Sequence, residues 1–279
     1  MRAERKGSAL LVVLATLVGV LSLLATSQAL LRGRTVSLRM EETAVELRGA
    51  LLLGLTAGMA HWQAEGEADW EPVREFRADN GVAVRLRLTD AQGRLDLNSV
   101  PGNAVLEEGL VRMLGALGFA GAGPAVRAWA GEAEAGALAL GSVEAWPAFL
   151  PEAGEWLSGE AGAVLRSWVT VLPPRAAGVR PINLNSVDGG LLGVLLGREL
   201  AGWVDAVLAA REEAPIQSLG TVMGLLPGPV ARTLNEVFGV QSDWRMLEVV
   251  GERDLTEGRL MALLTRDAEG NVEVVSCRW

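Results

Sequence analysis

The sequence contains 279 residues, 50% of them hydrophobic, and carries a formal net charge of −9. This apolar content is ample for a folded core and excludes a disordered chain, whereas the acidic balance disfavours phosphate backbones and anionic lipid as partners. A single cysteine, Cys277, excludes an intramolecular disulfide, and a single histidine, His61, leaves little material for a Ser/His/Asp triad or a multi-histidine metal site.

The N-terminal region is a long apolar run. Residues 8–31 contain no charge, and at about 1.5 Å per helical residue they span roughly 36 Å, enough to cross a bilayer. A plain anchor or a cleaved signal peptide would share this composition, although "TSQA" at 26–29 is a poor signal-peptidase site. The letters "RKG" ending at Gly7, with Ser8 behind them, resemble the leader of type IV prepilins, which a dedicated peptidase cuts after glycine. This resemblance implies cleavage between Gly7 and Ser8, with Ser8 as an N-methylated mature N-terminus.

Val12 would be the fifth residue of that mature chain, where most pilins and pseudopilins carry glutamate. An ionised carboxylate in hydrocarbon is costly unless a partner neutralises it, and the usual proposal for that partner is the N-terminal amine of the subunit ahead. A subunit with nothing ahead of it has no use for the glutamate. Val12 therefore predicts the tip of a filament, and the missing glutamate is typical of the K class of type II secretion minor pseudopilins.

The sequence after the apolar run keeps apolar residues at helical spacing without a proline, which predicts one long helix over about 8–62. An anchor followed by a separate amphipathic helix is the alternative. We expect the upper half of the helix to lie against a sheet and the apolar face of residues 36–59 to pack on helices of neighbouring subunits. Three glycines of this stretch would permit close approach of those helices: Gly49, Gly54 and Gly58.

Two strand-rich segments flank a helical block. Residues 82–88 alternate apolar and polar side chains, and the closing part, 241–279, is strand-like with turns at 252–257 and 267–271. Residues 103–240 have a helical pattern, and their tryptophans are expected in the core. This order predicts an α+β fold, with the long N-terminal helix packed on an antiparallel sheet and a large all-helical domain inserted between strands.

A short motif occurs twice, as "RLDLNSV" at the start of the helical block and as "PINLNSV" at the start of a second helical unit. Both copies place Asn and Ser after an extended apolar step, as helix N-caps do, so we expect a structural role. The alternative is a metal site, calcium above all, that uses Asp96, Asn98 or Asp188, although no complete calcium-loop spacing is present. The acidic loop at 65–71 is expected to be solvated, with a cation site as its alternative.

These features together resemble general secretion pathway protein K. They are the leader with Val12, "GRLDLNSV" after a strand, "INLNSVDGGLLGVLL" in the helical unit and the closing "LLTRDAEGNVEVVSCRW", and they extend over nearly the whole chain. The resemblance implies a pilin-like body at the tip of a short periplasmic filament, whose assembly at the inner membrane exports folded proteins. It implies minor pseudopilins of the I and J classes, the major pseudopilin and prepilin peptidase as partners. It also implies a single-pass inner-membrane protein with its C-terminal body in the periplasm and no catalysed reaction.

The implied role requires no cofactor. Some relatives bind calcium, but this chain departs from the family pattern because Trp129 is followed by Ala-Gly-Glu instead of an acidic motif. The resemblance divides the chain into five parts: a leader at 1–7, the transmembrane part of the helix at 8–31, the pilin-like body at 32–100, the inserted domain at 101–240 and the closing strands of the body at 241–279.

Two other functions compete with this one. The "INLNS" unit and "GLLPGPVARTL" look like paired helix-hairpin-helix motifs at 182–239, as in membrane-anchored competence proteins that bind DNA. That segment has three arginines against six carboxylates, and Pro227 and Pro229 remove amides that would grip phosphate, so we expect no nucleic acid. An anchored hydrolase that uses His61 lacks a second histidine and a recognisable nucleophile turn.

Overall fold

Our computed structural model describes the backbone of residues 4–65, 73–136, 139–173, 179–267 and 269–279. Side chains are described in the same ranges, except those of residues 4–11 and 65. The first three residues of the predicted leader and most of the acidic loop at 65–71 lie outside the described part.

The chain begins with a single helix, α1, over Glu4–Glu65. The segment contains no proline, which would remove a backbone amide and break the helix. Among the residues described, Val12–Ala64 is the one helix that is long and apolar enough to cross a membrane. The prediction of one continuous helix is confirmed, and the alternative of two separate helices is wrong.

Two antiparallel strands follow, β1 over Arg74–Arg77 and β2 over Ala83–Asp90. The turn between them places Gly81 at a φ of +85°, a left-handed conformation that glycine adopts without strain. Alternate side chains of β2 are buried, which is the pattern of a strand with one face on a core. The segment with the predicted alternation therefore forms a strand, and its buried face packs on α1.

After β2 the chain leaves the sheet for an inserted region, residues 91–243. Its described part is helical apart from four strands of two residues each, which form two parallel pairs, β3 with β4 and β5 with β6. The region therefore consists of two consecutive units, each bracketed by one short strand pair. Its elements are β3 (Leu95–Asp96), α2 (Ala104–Ala116), α3 (Gly123–Gly136), α4 (Ala153–Trp156), α5 (Gly159–Trp168), β4 (Val169–Thr170), β5 (Ile182–Asn183), α6 (Gly189–Leu196), α7 (Ala201–Glu213), α8 (Leu219–Met223), α9 (Gly228–Asn235) and β6 (Phe238–Gly239).

Tryptophans form the centre of the inserted region. The rings of Trp129 and Trp156 lie on either side of Trp146, with centroid distances of 5.5 Å and 5.7 Å to it. Trp203 of the second unit is also buried and packs on Phe238. Rings at these separations and tilts attract one another beyond the area that they bury. The prediction of core tryptophans is confirmed for these four, whereas Trp168 is half-buried and packs against the edge of the same core.

Three closing strands complete the body: β7 over Trp244–Arg253, β8 over Thr256–Arg266 and β9 over Val272–Arg278. The sheet has the order β1-β2-β7-β8-β9, and each neighbouring pair is antiparallel. β2 lies directly beside β7, so the inserted region leaves and rejoins the sheet between two adjacent strands. The predicted α+β fold, with a helical domain inserted between strands, is confirmed.

The body has its own core, separate from that of the inserted region. Leu47, Leu51 and Trp62 of α1 pack on the buried face of the sheet, which includes Leu247 and Val249. Only the upper part of α1 takes part in this core. Residues 12–42 are exposed along the whole length of the helix below it.

Candidate interaction surface

The lower part of α1 presents an apolar surface with no covering inside the chain. Residues 12–31 are all exposed, and Val12 itself is 61% exposed. At about 1.5 Å per residue this segment is roughly 30 Å long, which matches the hydrocarbon core of a bilayer. Gly7 and Ser8 lie in the first two turns of the same helix, and the predicted cleavage between them stays a prediction.

The exposed apolar surface continues above the membrane-length segment. It includes side chains that face away from the sheet or lie below it: Val36, Leu38, Met40, Val45, Leu52 and Leu53. A contiguous apolar surface of this kind on a folded protein marks an interaction site. We therefore treat this part of α1 as the candidate interaction surface.

A groove, which we term the docking groove, lies where this surface meets the sheet. Its volume is about 810 Å³, and it is formed by residues 36–51 of α1, residues 256–259 of the β7–β8 hairpin and Trp279. The Arg48 guanidinium lies 5.0 Å from the centre of the Trp279 ring, a cation–π arrangement that fixes the end of the chain beside α1. The groove thus has an apolar floor and an arginine-lined rim.

The glycines of α1 do not all face outwards, and the prediction for two of them is wrong. A Cβ on Gly54 would lie 2.4 Å from Cγ1 of Val249, and a Cβ on Gly58 would lie 2.6 Å from a methyl carbon of Leu247. Both glycines therefore permit close approach of α1 to its own sheet, where no neighbouring helix can reach them. A Cβ on Gly49 meets nothing within 4 Å, so Gly49 alone of the three remains available to a partner helix.

A buried ion pair of the body, which the sequence does not predict, lies at the junction with the inserted region. Asp90, at the end of β2, lies with its Oδ2 atom 2.8 Å from Nη1 of Arg245 on β7, and the side chains are only 7% and 8% exposed. The same Oδ2 atom accepts hydrogen bonds of 2.6 Å from Nδ2 of Asn183 and from Oγ of Ser186. Body and inserted region thus share one buried carboxylate.

Gln92 adds a second link at this junction. Its Nε2 atom donates to the Pro181 carbonyl at 3.1 Å. Its Oε1 atom accepts from Ser242 Oγ at 3.1 Å and from the Asp243 amide at 2.8 Å. Gln92 therefore lies where the chain leaves the body and also bonds the segment where the chain returns to it. These hydrogen bonds hold the inserted region on the body.

The repeated "LNS" motif has the same structure in both units. Asn98 donates from Nδ2 to the carbonyls of Leu140 (3.0 Å) and Leu172 (2.7 Å), and its Oδ1 accepts from the Leu140 amide at 2.8 Å. Asn185 makes the equivalent three bonds, to the carbonyls of Ile216 and Val240 and from the Ile216 amide. Each asparagine clamps two distant loops of its unit, so the predicted structural role fits the geometry.

Removing the Asn98 clamp is expected to destabilise the protein strongly. Asn98→Ala leaves one amide and two carbonyls without partners, and each buried orphan costs about 1–3 kcal/mol, so we expect a loss of about 2–4 kcal/mol. Urea unfolding of the full-length chain, followed by tryptophan fluorescence, measures it. Asn235→Ala, at the exposed end of α9, is the matched control and is expected to change stability by less than about 0.5 kcal/mol. Equal losses for the two variants would contradict the clamp.

The residues proposed for calcium use side-chain oxygens in hydrogen bonds within the fold. Both carboxylate oxygens of Asp96 are engaged, because they accept from the amides of Asn98 and Leu172 and from Ser99 Oγ. Burial raises the pKa of Asp96 against the lowering effect of these bonds. Asp188 caps α6 through the Leu191 amide. Among the described residues, no three His, Cys, Asp or Glu side chains group as metal ligands, so this donor set does not fit calcium.

The helix-hairpin-helix segment also uses its charges internally. Arg211 donates from Nη1 to the carbonyls of Leu184 (3.1 Å) and Val187 (2.6 Å), and desolvation by burial lowers its pKa. Pro227 stands at the N-cap of α9, where a phosphate-binding hairpin would offer backbone amides. One of three arginines is thus committed to the fold, which disfavours the DNA-binding interpretation.

Comparisons with known proteins bear on the fold. No protein-family model and no curated protein matches the sequence. The structure is similar to a chain in the crystal structure of the GspK–GspI–GspJ complex from the type 2 secretion system of enterotoxigenic Escherichia coli. The TM-score is 0.64, with 88% of this chain and 98% of that chain covered at 16% identity. The predicted resemblance is thereby confirmed at the level of the fold.

Proposed function

We propose that this chain is a K-class minor pseudopilin of a type II secretion system. It acts without catalysing a reaction, at the tip of the pseudopilus, where it helps to initiate assembly and the export of folded proteins across the outer membrane. The observation that carries this proposal is a pilin-like body with a long apolar helix and an inserted helical region, the fold found in the GspK–GspI–GspJ complex. This role requires no cofactor.

The lower half of α1 supports a membrane anchor. Residues 12–31 form an exposed apolar cylinder of bilayer length, which is stable in lipid and not in water. Prepilin peptidase cuts between Gly7 and Ser8 at the inner membrane, and the C-terminal body then lies in the periplasm. The helix that remains keeps its full span because the cut lies before it.

Two features support a place at the tip. Val12 has no carboxylate to pair with the amine of a subunit ahead, so no such subunit is needed to neutralise it. The inserted region is larger than the sheet that carries it, and hydrogen bonds to Asp90 and through Gln92 hold it on the body. A fixed bulk above the body leaves no room for a further subunit to stack.

The docking groove and the exposed apolar side of α1 receive the partners. Helices of the I-class and J-class minor pseudopilins, and of the major pseudopilin below, would cover Leu38, Met40 and Val45. Arg39 and Arg48 at the groove favour helices that carry carboxylates beside their apolar face. GspI and GspJ are the companions in the similar solved complex, which is consistent with these classes.

Co-purification tests this role with one surface variant. The full-length chain, extracted in mild detergent from cells that also produce the I-class and J-class subunits, is expected to retain both. Met40→Glu, in the docking groove, is expected to lower their recovery at least tenfold, because a partner helix would bury an unpaired charge. Leu225→Glu, at a similarly exposed leucine of the inserted region, is the matched control and should leave recovery unchanged. Absence of both subunits from the wild-type preparation would reject the proposal.

A further inference from the structure

A second cavity lies on the opposite side of the sheet from α1. Its volume is about 520 Å³, and it separates the inserted region from the outer face of β7, β8 and β9. Met246, Met261 and Leu263 form its floor, and these residues alternate with those that face α1. The walls come from the inserted region, through the loop at 140–144 and residues 166–173. A cavity of this volume with a mainly apolar lining has the dimensions of a ligand site.

The charge inside this cavity is opposite to that of the chain. Arg94, Arg166 and Arg278 line it, and Glu144 is the one carboxylate among its described lining residues. Glu144 lies 3.2 Å from Arg278, so that pair is close to neutral and two arginines remain in excess. In a chain with a net charge of −9, a cavity with excess positive charge selects an anion.

Of the three arginines that line the cavity, Arg94 has the fewest bonds to other residues. It is half-buried at the start of the inserted region, and no hydrogen bond or ion pair joins it to another residue of the described ranges. Burial first, and then the nearby Arg87, lower its pKa, and the Asp90 carboxylate opposes them only in part. A half-buried guanidinium without a direct hydrogen bond to a carboxylate binds one readily, since its fork of donors matches two carboxylate oxygens.

The rim of the cavity offers backbone groups as well as charge. β9 is the outermost strand of the sheet, so one side of it has no neighbouring strand. A register shift opposite Leu263 and Leu264 leaves Val275 without a partner residue, and Val275, Ser276 and Arg278 border the cavity. Free strand-edge groups next to apolar pockets are the arrangement by which folded proteins bind extended peptides.

We propose that this cavity is a peptide-binding site, which takes an extended segment with a carboxylate beside apolar side chains. The carboxylate lies against Arg94, the apolar side chains lie over Met246 and Leu263, and the peptide backbone follows β9. This site is separate from the docking groove, which lies on the other face of the sheet, and its existence does not depend on the proposed function.

Fluorescence polarisation with a matched peptide pair tests the site. The probe is a fluorescein-labelled hexapeptide of alternating serine and valine that ends in leucine with a free carboxylate. Its partner is the same peptide with an amidated end, and the protein is the full-length chain in zwitterionic lipid nanodiscs. We expect the carboxylate peptide to bind at least tenfold more tightly than the amide, and its affinity to fall with added salt.

Two arginine variants locate the binding. Arg94→Gln is expected to weaken binding of the carboxylate peptide at least tenfold, whereas Arg127→Gln, on the exposed side of α3, removes the same charge elsewhere and should not change it. If Arg94→Gln fails to fold, Arg278→Gln at the exposed rim replaces it. Equal affinity of the amide, or full affinity of the folded Arg94→Gln variant, would overturn the proposal. Competition by hexanoate at the same concentration as the peptide would overturn the peptide part and assign the site to alkyl carboxylates.

Discussion

Replacing Asp90 with alanine is expected to lower the free energy of unfolding by about 3–5 kcal/mol. The substitution leaves Arg245 as a buried charge without its carboxylate, and it removes the acceptor of Asn183 and Ser186. Urea unfolding followed by tryptophan fluorescence measures the change. Because Asp90 joins the two parts of the chain, we also expect the variant to separate their unfolding transitions.

A surface pair of the same sheet provides the control for Asp90. Arg85 lies 2.9 Å from Glu75 and directly opposite it across β1 and β2, as Asp90 lies opposite Arg245 across β2 and β7. The Glu75 side chain is 66% exposed, so Glu75→Ala is expected to cost no more than about 0.2–1 kcal/mol. A loss for Asp90→Ala as small as this would show that the junction is solvated and that the inserted region is free to move.

Gly54→Ala is expected to destabilise the body by about 1–3 kcal/mol, although alanine is the better helix former. The added methyl group would lie 2.4 Å from Cγ1 of the buried Val249, and 3.1 Å from methyl groups of Leu86 and Val84. α1 must therefore move away from the sheet and lose contact along its buried face. The measurement is the unfolding midpoint of the full-length chain in urea.

Gly49→Ala is the matched substitution five residues earlier on the same helix. Its methyl group meets nothing within 4 Å, so the helix-propensity gain of about 0.5–1 kcal/mol should appear without a packing loss. The two variants are therefore expected to shift stability in opposite directions. A shift in the same direction for both would contradict the placement of Gly54 against the sheet.

The glycines of α1 show which features of the helix can be predicted from the spacing of its residues and which cannot. The spacing of apolar residues correctly predicts one long helix and its two environments, because both follow from local composition. It does not say which partner each face meets, and Gly54 and Gly58 were assigned to neighbouring subunits for that reason. Gly251 and Gly258, inside the strand pattern, indicate a close approach of some element to the sheet, and the structure places Leu51 of α1 against both of them.

The junction was not predictable from local pattern at all. Asp90 stands where β2 ends, so the sequence indicates only a turn residue. Its partner Asn183 lies 93 positions later, and Ser186 lies 96 positions later, inside the second "LNS" motif. The repeated motif predicted helix entry and a structural role, but the clamp on two distant loops requires the fold of each unit. Trp279 in the docking groove is a similar case, because only tertiary structure places the end of the chain beside Arg48.

The contacts within the chain explain how the proposed tip subunit would transmit force from its helix to its body. The exposed apolar segment of bilayer length continues into the part of α1 that packs on the sheet. Hydrogen bonds to the buried Asp90 carboxylate and through Gln92 hold the large helical region on that sheet. Force applied to α1 by assembling subunits would therefore be transmitted to the whole body. A loosely tethered insertion would instead swing aside and leave the top of the filament open.

The N-terminal residue of the mature protein decides whether this chain is processed as a pseudopilin. Mass spectrometry of the chain purified from membranes of its own cells reads this residue and its modification together. We expect a chain that begins at Ser8, N-methylated, with residues 8–31 retained as the anchor. A chain that begins near Leu30, or that keeps Met1, would contradict it, because the helix would then be a cleaved signal peptide or an unprocessed anchor.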